Sequence, residues 1–171
     1  MLVRDCKGPA LSLPDSLRAR LRPRTGFWPD DYWADLAEKI PGGFAGVLRI
    51  QGKPTIWLVR PGDADAAKAA LLSDPNFRNF DVRGAQVLKA RWDFAQLVDW
   101  YDYLIGTDIW SSVGILSGDK QEGINRIRFG VKDEASRGAL VRKLEALNVP
   151  CDLIHIGLER PEVLFGNRST P

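Results

Sequence analysis

The sequence predicts an α+β fold. It comprises two small ββαβ subdomains, each a three-stranded sheet covered by a helix, joined by an amphipathic helix and preceded by an N-terminal helical arm. Three observations predict it. Apolar strand patterns come in pairs, "FAGVLRI" with "TIWLVR" and "SSVGILS" with "NRIRFGVK". Each pair is followed by a helix rich in Ala and Leu behind an acidic turn, "PGDADAAKAALLSD" and "EASRGALVRKLEALN". A third strand then closes each set, "VRGAQVLKARW" and "CDLIHIGLE". The expected division is 1–43 for the N-terminal arm and helix, 44–92 for the first subdomain and 93–111 for the connecting helix. Residues 112–160 form the second subdomain and 161–171 a C-terminal tail. The shared order suggests two similar units, although their sequences alone do not demonstrate a repeat.

In the arm, "LPDSLRARL" has the length of a short helix, with Asp15 or Ser16 as its cap. In "WPDDYWADLAEKI", Trp33, Leu36, Ala37 and Ile40 recur at helical spacing, Asp30 or Asp31 is placed to cap, and Pro41-Gly42-Gly43 stops the helix. "QGKP" is a hairpin turn. Asp63 is the expected cap of the next helix, whose Ala66, Ala67, Ala70 and Leu71 allow close approach to the sheet. The strand that follows is expected to bend near Gly84. In "DFAQLVDWYDYLIG", Asp93 and Gln96 form a capping-box pattern. Phe94, Leu97, Val98, Tyr101, Leu104 and Ile105 make the apolar stripe of that helix. Trp100 and Tyr103 fall off the stripe, either against the second subdomain or in an exposed aromatic patch. "GDKQEG" reads as a polar loop, and Asn148 with Pro150 ends the last helix.

Alternation sorts the second sheet by faces. Ile127, Phe129 and Val131 point one way, and Arg126, Arg128 and Gly130 the other. In the last strand, Ile154, Ile156 and Leu158 share one face, and Cys151, Leu153 and His155 the opposite one. Leu140, Val141, Leu144 and Leu147 bring the helix to the apolar side. Arg126, Arg128, Leu153 and His155 are therefore expected on an open, mixed polar face that meets water or a partner.

A net charge of +2 over 171 residues gives no strong field toward nucleic acid or an anionic membrane. The densest basic run, "RARLRPR", reads as solvated surface. No apolar run approaches the roughly 18 residues of a spanning helix. The first residues lack a signal-peptide pattern. The chain as given is expected to be cytoplasmic, or periplasmic or secreted if it is a mature form with an added Met. Cys6 and Cys151 are two free thiols or, in an oxidising compartment, a disulfide.

Catalytic signatures are missing. The single His155 sits mid-strand among apolar residues, with no G-x-S-x-G elbow to supply a nucleophile. No Cys/His cluster has zinc spacing, and no phosphate-binding glycine motif opens a helix. The carboxylate pairs Asp30-Asp31 and Asp133-Glu134 stand at helix starts, where capping accounts for them. "NRS" at 167–169 matches a glycosylation acceptor only by chance outside a eukaryotic secretory setting. "RIRFGV" lacks the aromatic pattern of an RNA-reading sheet. The expectation is a protein that is not an enzyme, with no cofactor, no metal, no membrane partner and no nucleic-acid partner.

"GGFAGVLR", "FAQLVDWYDYL" and "SVGILSGDKQEGINRIRFGVKDEASRGALVRKLEALNVP" carry a resemblance to a bacterial family. They resemble the pro-regions of secreted chymotrypsin-like serine proteases of the alpha-lytic protease and streptogrisin type, and related uncharacterised bacterial proteins. Asn125, Arg126, Ile127, Phe129, Val131, Leu144, Leu147, Val149 and Pro150 occupy the matching positions, and the likeness is best over about 94–156. The resemblance implies tandem α/β subdomains without catalytic residues, acting as folding chaperone and inhibitor. It also implies a C-terminal subdomain that pairs its sheet edge with the protease and a tail that lies in the active site. For the sequence as given, the expectation is that no protease domain follows and no secretion signal precedes, so the expected role is in trans. The expected partner surface is Arg126, Arg128, Leu153 and His155, with Leu164 and Phe165 of the tail. The alternative is a regulatory or small-ligand-binding α/β domain with its site between the subdomains.

Overall fold

A computed structural model describes residues 12–150 and 152–160 of the chain. It shows an α+β fold containing two three-stranded sheets of identical design. The first sheet joins β1 (Phe44–Ile50), β2 (Lys53–Leu58) and β3 (Gln86–Lys89) in that order. The second joins β4 (Ile115–Gln121), β5 (Arg126–Val131) and β6 (Ile154–Leu158) in that order. In each, the first pair is antiparallel and the second parallel. The likeness extends to details. The register shifts between Phe44 and Gly46 in β1, and between Ile115 and Ser117 in β4. Past the third strand, the Ala90 N–H donates to the Leu58 carbonyl at 2.8 Å, and the Glu159 N–H to the Val131 carbonyl at 2.8 Å.

A helix crosses between the parallel strands of each sheet, α3 (Ala64–Ser73) and α6 (Glu134–Ala146). Another helix precedes each sheet, α2 (Pro29–Lys39) and α4 (Phe94–Ile105), so the repeated unit reads αββαβ. Short turns of helix, α1 (Asp15–Arg18) and α5 (Ile109–Ser112), complete the described elements besides two 3-10 turns. The Gln51-Gly52 turn takes positive φ at both residues, 50° and 79°, as a tight hairpin requires.

Helix α4 is shared between two cores. Its Phe94, Ala95 and Val98 pack with Phe44, Ile56 and Leu58 of the first unit. Its Leu97, Trp100 and Leu104 pack with Ile127, Phe129 and Val131 of the second. Fully burying such a side chain stabilises by roughly 1.5–3 kcal/mol. Both α4 and α6 cover the Phe129 face of the second sheet, through Leu97 and Leu140 among others. Among the described residues, no helix covers the opposite face.

Several sequence expectations need correction. Ile105, expected in the stripe, is 43% exposed, whereas Trp100, off the stripe, is buried in the second core as the reading against the second subdomain expects. Residues Gly118–Gln121 continue β4 instead of forming a loop, since they pair with Arg126–Phe129. The third strand of the first unit is only Gln86–Lys89, and the bend near Gly84 precedes it as a turn. Asp63 stands at the N-cap of α3 but makes no capping bond; its carboxylate binds Arg60 at 3.0 Å instead. The capping box of Asp93 and Gln96 is present, and Asp133 accepts from the Ser136 N–H at 2.7 Å.

"RARLRPR" is not simply solvated surface. Arg24 spans the two preceding helices, reaching Glu38 on α2 at 2.8 Å and Asp99 on α4 at 2.7 Å. Arg22 does the same with Asp31 at 2.8 Å and Asp102 at 3.2 Å. Arg18 donates to Asp99 at 2.6 Å. Long-range folding alone brings these charges together.

Candidate functional site

The second sheet has two edges, and they differ. On β4, Lys120 points inward, its side chain 8% exposed, to meet Asp30 at 2.8 Å across the Tyr101 ring. Inward charges and bulges protect an edge strand from adding another strand. β4 carries both, with Asp119 beside Lys120 and the shift at Ile115/Ser117. β6, "IHIGL", has no Lys, Arg, Asp, Glu or Pro and no register break.

The direction of the free backbone groups on β6 follows from its ladder. The Leu153 carbonyl accepts from the Ile127 N–H at 2.9 Å, and the Glu159 N–H donates to the Val131 carbonyl at 2.8 Å. Backbone groups alternate along a strand, so those of Ile154, Ile156 and Leu158 point outward. Among the described residues none of these has a backbone partner. The Leu158 side chain is 48% exposed beside them.

The open face beside this edge is built from register partners. Arg128 pairs with Asp119 on one side and His155 on the other, and Gly130 with Ser117 and Gly157. The Glu159 carboxylate bends back over the sheet to bind Arg128 at 2.7 Å and Ser117 at 2.7 Å. Gly130 makes this possible, because a Cβ there would collide with the Glu159 carboxylate. His155 is exposed. Arg126 folds back to donate to the Asn125 carbonyl at 2.9 Å. Burial pulls its pKa below the ordinary arginine value, opposed by Asp152 and reinforced by Arg91.

The six expected partner residues therefore divide. Arg126, Arg128 and His155 lie on the open face or its margin. Leu153 does not: it is fully buried in the second core. The cause is local. Asp152 adopts a left-handed φ of 57° and the Leu153 N–H turns back to the Pro150 carbonyl, so strand alternation begins only at Ile154. Leu164 and Phe165 lie outside the described residues, as do Cys6 and Cys151.

Sequence reading missed one residue that positions this sheet. Asn125 is buried with a left-handed φ of 52°. Its Oδ1 accepts from the Arg91 and Trp92 N–H groups at 2.7 and 2.8 Å, and its Nδ2 donates to the Trp92 carbonyl at 2.8 Å. It thereby ties the β4–β5 turn to the link between the units. The readable signal was an Asn in a hairpin turn, a residue type that tolerates positive φ.

A cleft of about 620 Å³ opens at that link, lined by Arg60, Lys89, Arg91 and Asp93 among others. Among the described residues no group of three or more His, Cys, Asp or Glu side chains is placed to hold a metal ion, and no helix is long and apolar enough to cross a membrane. No protein-family model, curated protein or solved structure matches this chain.

Proposed function

We propose that this protein is a non-catalytic protein-binding module that takes up an extended segment of a partner along the outer edge of β6. The observation that supports this reading is the β6 edge. It has outward-facing backbone groups at Ile154, Ile156 and Leu158, and nothing in the strand discourages pairing. Strand addition draws affinity from main-chain hydrogen bonds and specificity from alternate side chains. Arg128 and His155 flank the edge on one face and Leu158 on the other. The pro-region resemblance implies the same use of a C-terminal sheet edge, and a chymotrypsin-like serine protease is the first candidate partner. In that form the module inhibits the protease or assists its folding in trans.

The test uses a panel of chymotrypsin-like proteases and a pull-down followed by mass spectrometry. Leu158→Pro is the diagnostic variant. It removes an outward donor from an exposed edge position and leaves the inward ladder intact. The expected outcome is a stable fold with at least about tenfold weaker partner binding, from lost main-chain bonds. Full binding by Leu158→Pro would reject the edge. No inhibition or binding across the panel would reject the protease as partner.

A second reading has one observation in its favour. The cleft at the link gathers Lys89, Arg91 and Arg60, the last already paired with Asp63, beside the acid Asp93. That charge suits a small anionic ligand, as a regulatory domain would bind. A thermal-shift screen of carboxylates and phosphates tests it, since a ligand of the folded state raises the melting temperature.

A further inference from the structure

Among the described residues, two strongly exposed aromatics lie on the β4 side of the second sheet, not at the β6 edge. Phe27 is 77% and Trp28 54% exposed, and their rings meet edge to face at 5.1 Å. Trp28 lines a pocket of about 580 Å³ together with Tyr101 and the 43% exposed Ile105. Trp110, 38% exposed, packs over Gly118 on the same rim. Exposed aromatics of this size grouped around a concavity are how protein-docking surfaces differ from ordinary surface.

The pocket is also acidic. Asp30, Asp102 and Asp119 line it. These three carboxylates face two cations, Arg22 and Lys120, and Arg22 is shared with the buried Asp31. Asp119 forms no ion pair among the described residues. The chain already shows how the pocket treats a cation. The Lys120 ammonium sits 3.7 Å from the centre of the Tyr101 ring, with the Asp30 carboxylate at 2.8 Å. An aromatic face and a carboxylate together hold an ammonium or guanidinium group well. Trp28 and Asp119 also line the pocket and offer the same kinds of group, and among the described residues no cation is paired with either.

We propose that the Trp28 pocket is a second docking surface that receives a Lys or Arg side chain presented by a partner protein. It stands apart from the β6 edge and does not depend on it. The flanking Phe27 and Ile105 fit apolar neighbours of the basic residue, and the excess of carboxylates selects its charge.

Three probes test this on the whole chain, with affinities measured by titration calorimetry and the site located in the unsubstituted chain by NMR shifts of the Trp28 indole N–H. They are acetyl-Leu-Arg-Leu-amide, its citrulline counterpart and arginine ethyl ester. The arginine peptide should bind, more weakly at high salt, with the citrulline peptide about tenfold weaker or worse. Trp28→Ala and Asp119→Asn should each weaken the arginine peptide about fivefold. Both positions are exposed, so folding is preserved; Leu158→Pro should leave this binding unchanged. Equal binding of the citrulline peptide overturns the proposal, as does indifference to both pocket variants. Arginine ethyl ester binding as tightly as the peptide would make it a small-molecule site and overturn the protein partner. Self-association abolished by Trp28→Ala would assign the patch to a second copy and overturn it equally.

Discussion

The two αββαβ units share strand order, pairing sense and the place of a bulge, yet they end differently. The third strand of the first unit, β3, is four residues with Lys89 at its end, and it runs directly into the link to α4. The third strand of the second unit, β6, is five residues without a charge. Their preceding helices differ too. The N-cap of α4, Asp93, closes a capping box, whereas α2 begins at Trp28 and Pro29 with no side-chain cap. Its acidic residue Asp31 turns away to accept from the Thr25 and Gly26 N–H groups and from Arg22. The difference teaches that apolar pattern sets the repeated topology. Individual polar residues decide how each edge strand is built and how the units join.

The joint is where the comparison breaks most sharply. Asn125 satisfies three backbone groups of the link, and no residue of the first unit is seen doing this for its own hairpin. Asn125→Ala leaves those buried groups unpaired and puts Ala at positive φ. We expect a loss of about 4 kcal/mol, from the usual cost of unsatisfied buried groups. Urea unfolding of the variant measures it. A loss near that of an ordinary turn substitution would mean that the units are joined mainly by apolar packing.

Arg24→Ala comes next. It removes a guanidinium that bridges α2 to α4 and leaves Asp99, its side chain 5% exposed, with Arg18 alone. We expect about 3 kcal/mol, at the low end for breaking a buried pair because Arg18 remains. A cycle with Asp99→Asn isolates the pair itself. Burial opposes the charge on Arg24, but the bonds to Asp99 and Glu38 together hold its pKa above the ordinary arginine value.

The pH dependence separates the two helices. The Arg22 hydrogen bond holds the Asp31 carboxyl below the ordinary carboxylate range, against burial and with help from Thr25 and Gly26. A depressed carboxyl stabilises the fold above its unfolded pKa, about 3.9, and loses that contribution as pH falls through the folded value. Burial raises Asp102 and Asp93 on the α4 side. Those groups favour the fold below their unfolded pKa, and that contribution fades as pH rises through their folded values. Arg22→Gln should therefore reduce the acid-side loss of stability. The test is a set of urea midpoints between pH 3 and 6, which should fall less steeply with acid in the variant. An unchanged acid slope would place the acid sensitivity elsewhere.

Much of this was legible in the sequence, for a physical reason. Strand order, the alternating faces of β5 and the Asp93 and Asp133 caps are local patterns read within a few residues. The arginine contacts were not legible, because Arg24 and Asp99 stand 75 positions apart and a basic run alone ordinarily faces water. Leu153 was misplaced because one left-handed residue, Asp152, shifts the start of alternation. The single stripe puts Ile105 inside, whereas α4 serves two cores and leaves Ile105 half exposed. The β6 edge could have been read from the missing charges in "IHIGL", but only once β6 was known to be an outer strand.

The smallest expected effect concerns the helix starts. Asp93→Ala removes the acceptor of the Gln96 N–H at 2.8 Å and ends the reciprocal box. Loss of such a cap costs about 1 kcal/mol. The matching change in the first unit is a gain, because Trp28→Ser places a capping hydroxyl where none acts now. Pro29 at the next position already favours a helix start. We expect Trp28→Ser to recover up to about 0.5 kcal/mol, since Asp31 already supplies negative charge in that first turn. Thermal unfolding of both variants and their combination checks the pair. If Trp28→Ser destabilises, the Trp28 ring contributes to the fold through packing, and the first unit spends its N-cap position on that contact. If it stabilises, the position is held by tryptophan for something other than the fold of α2.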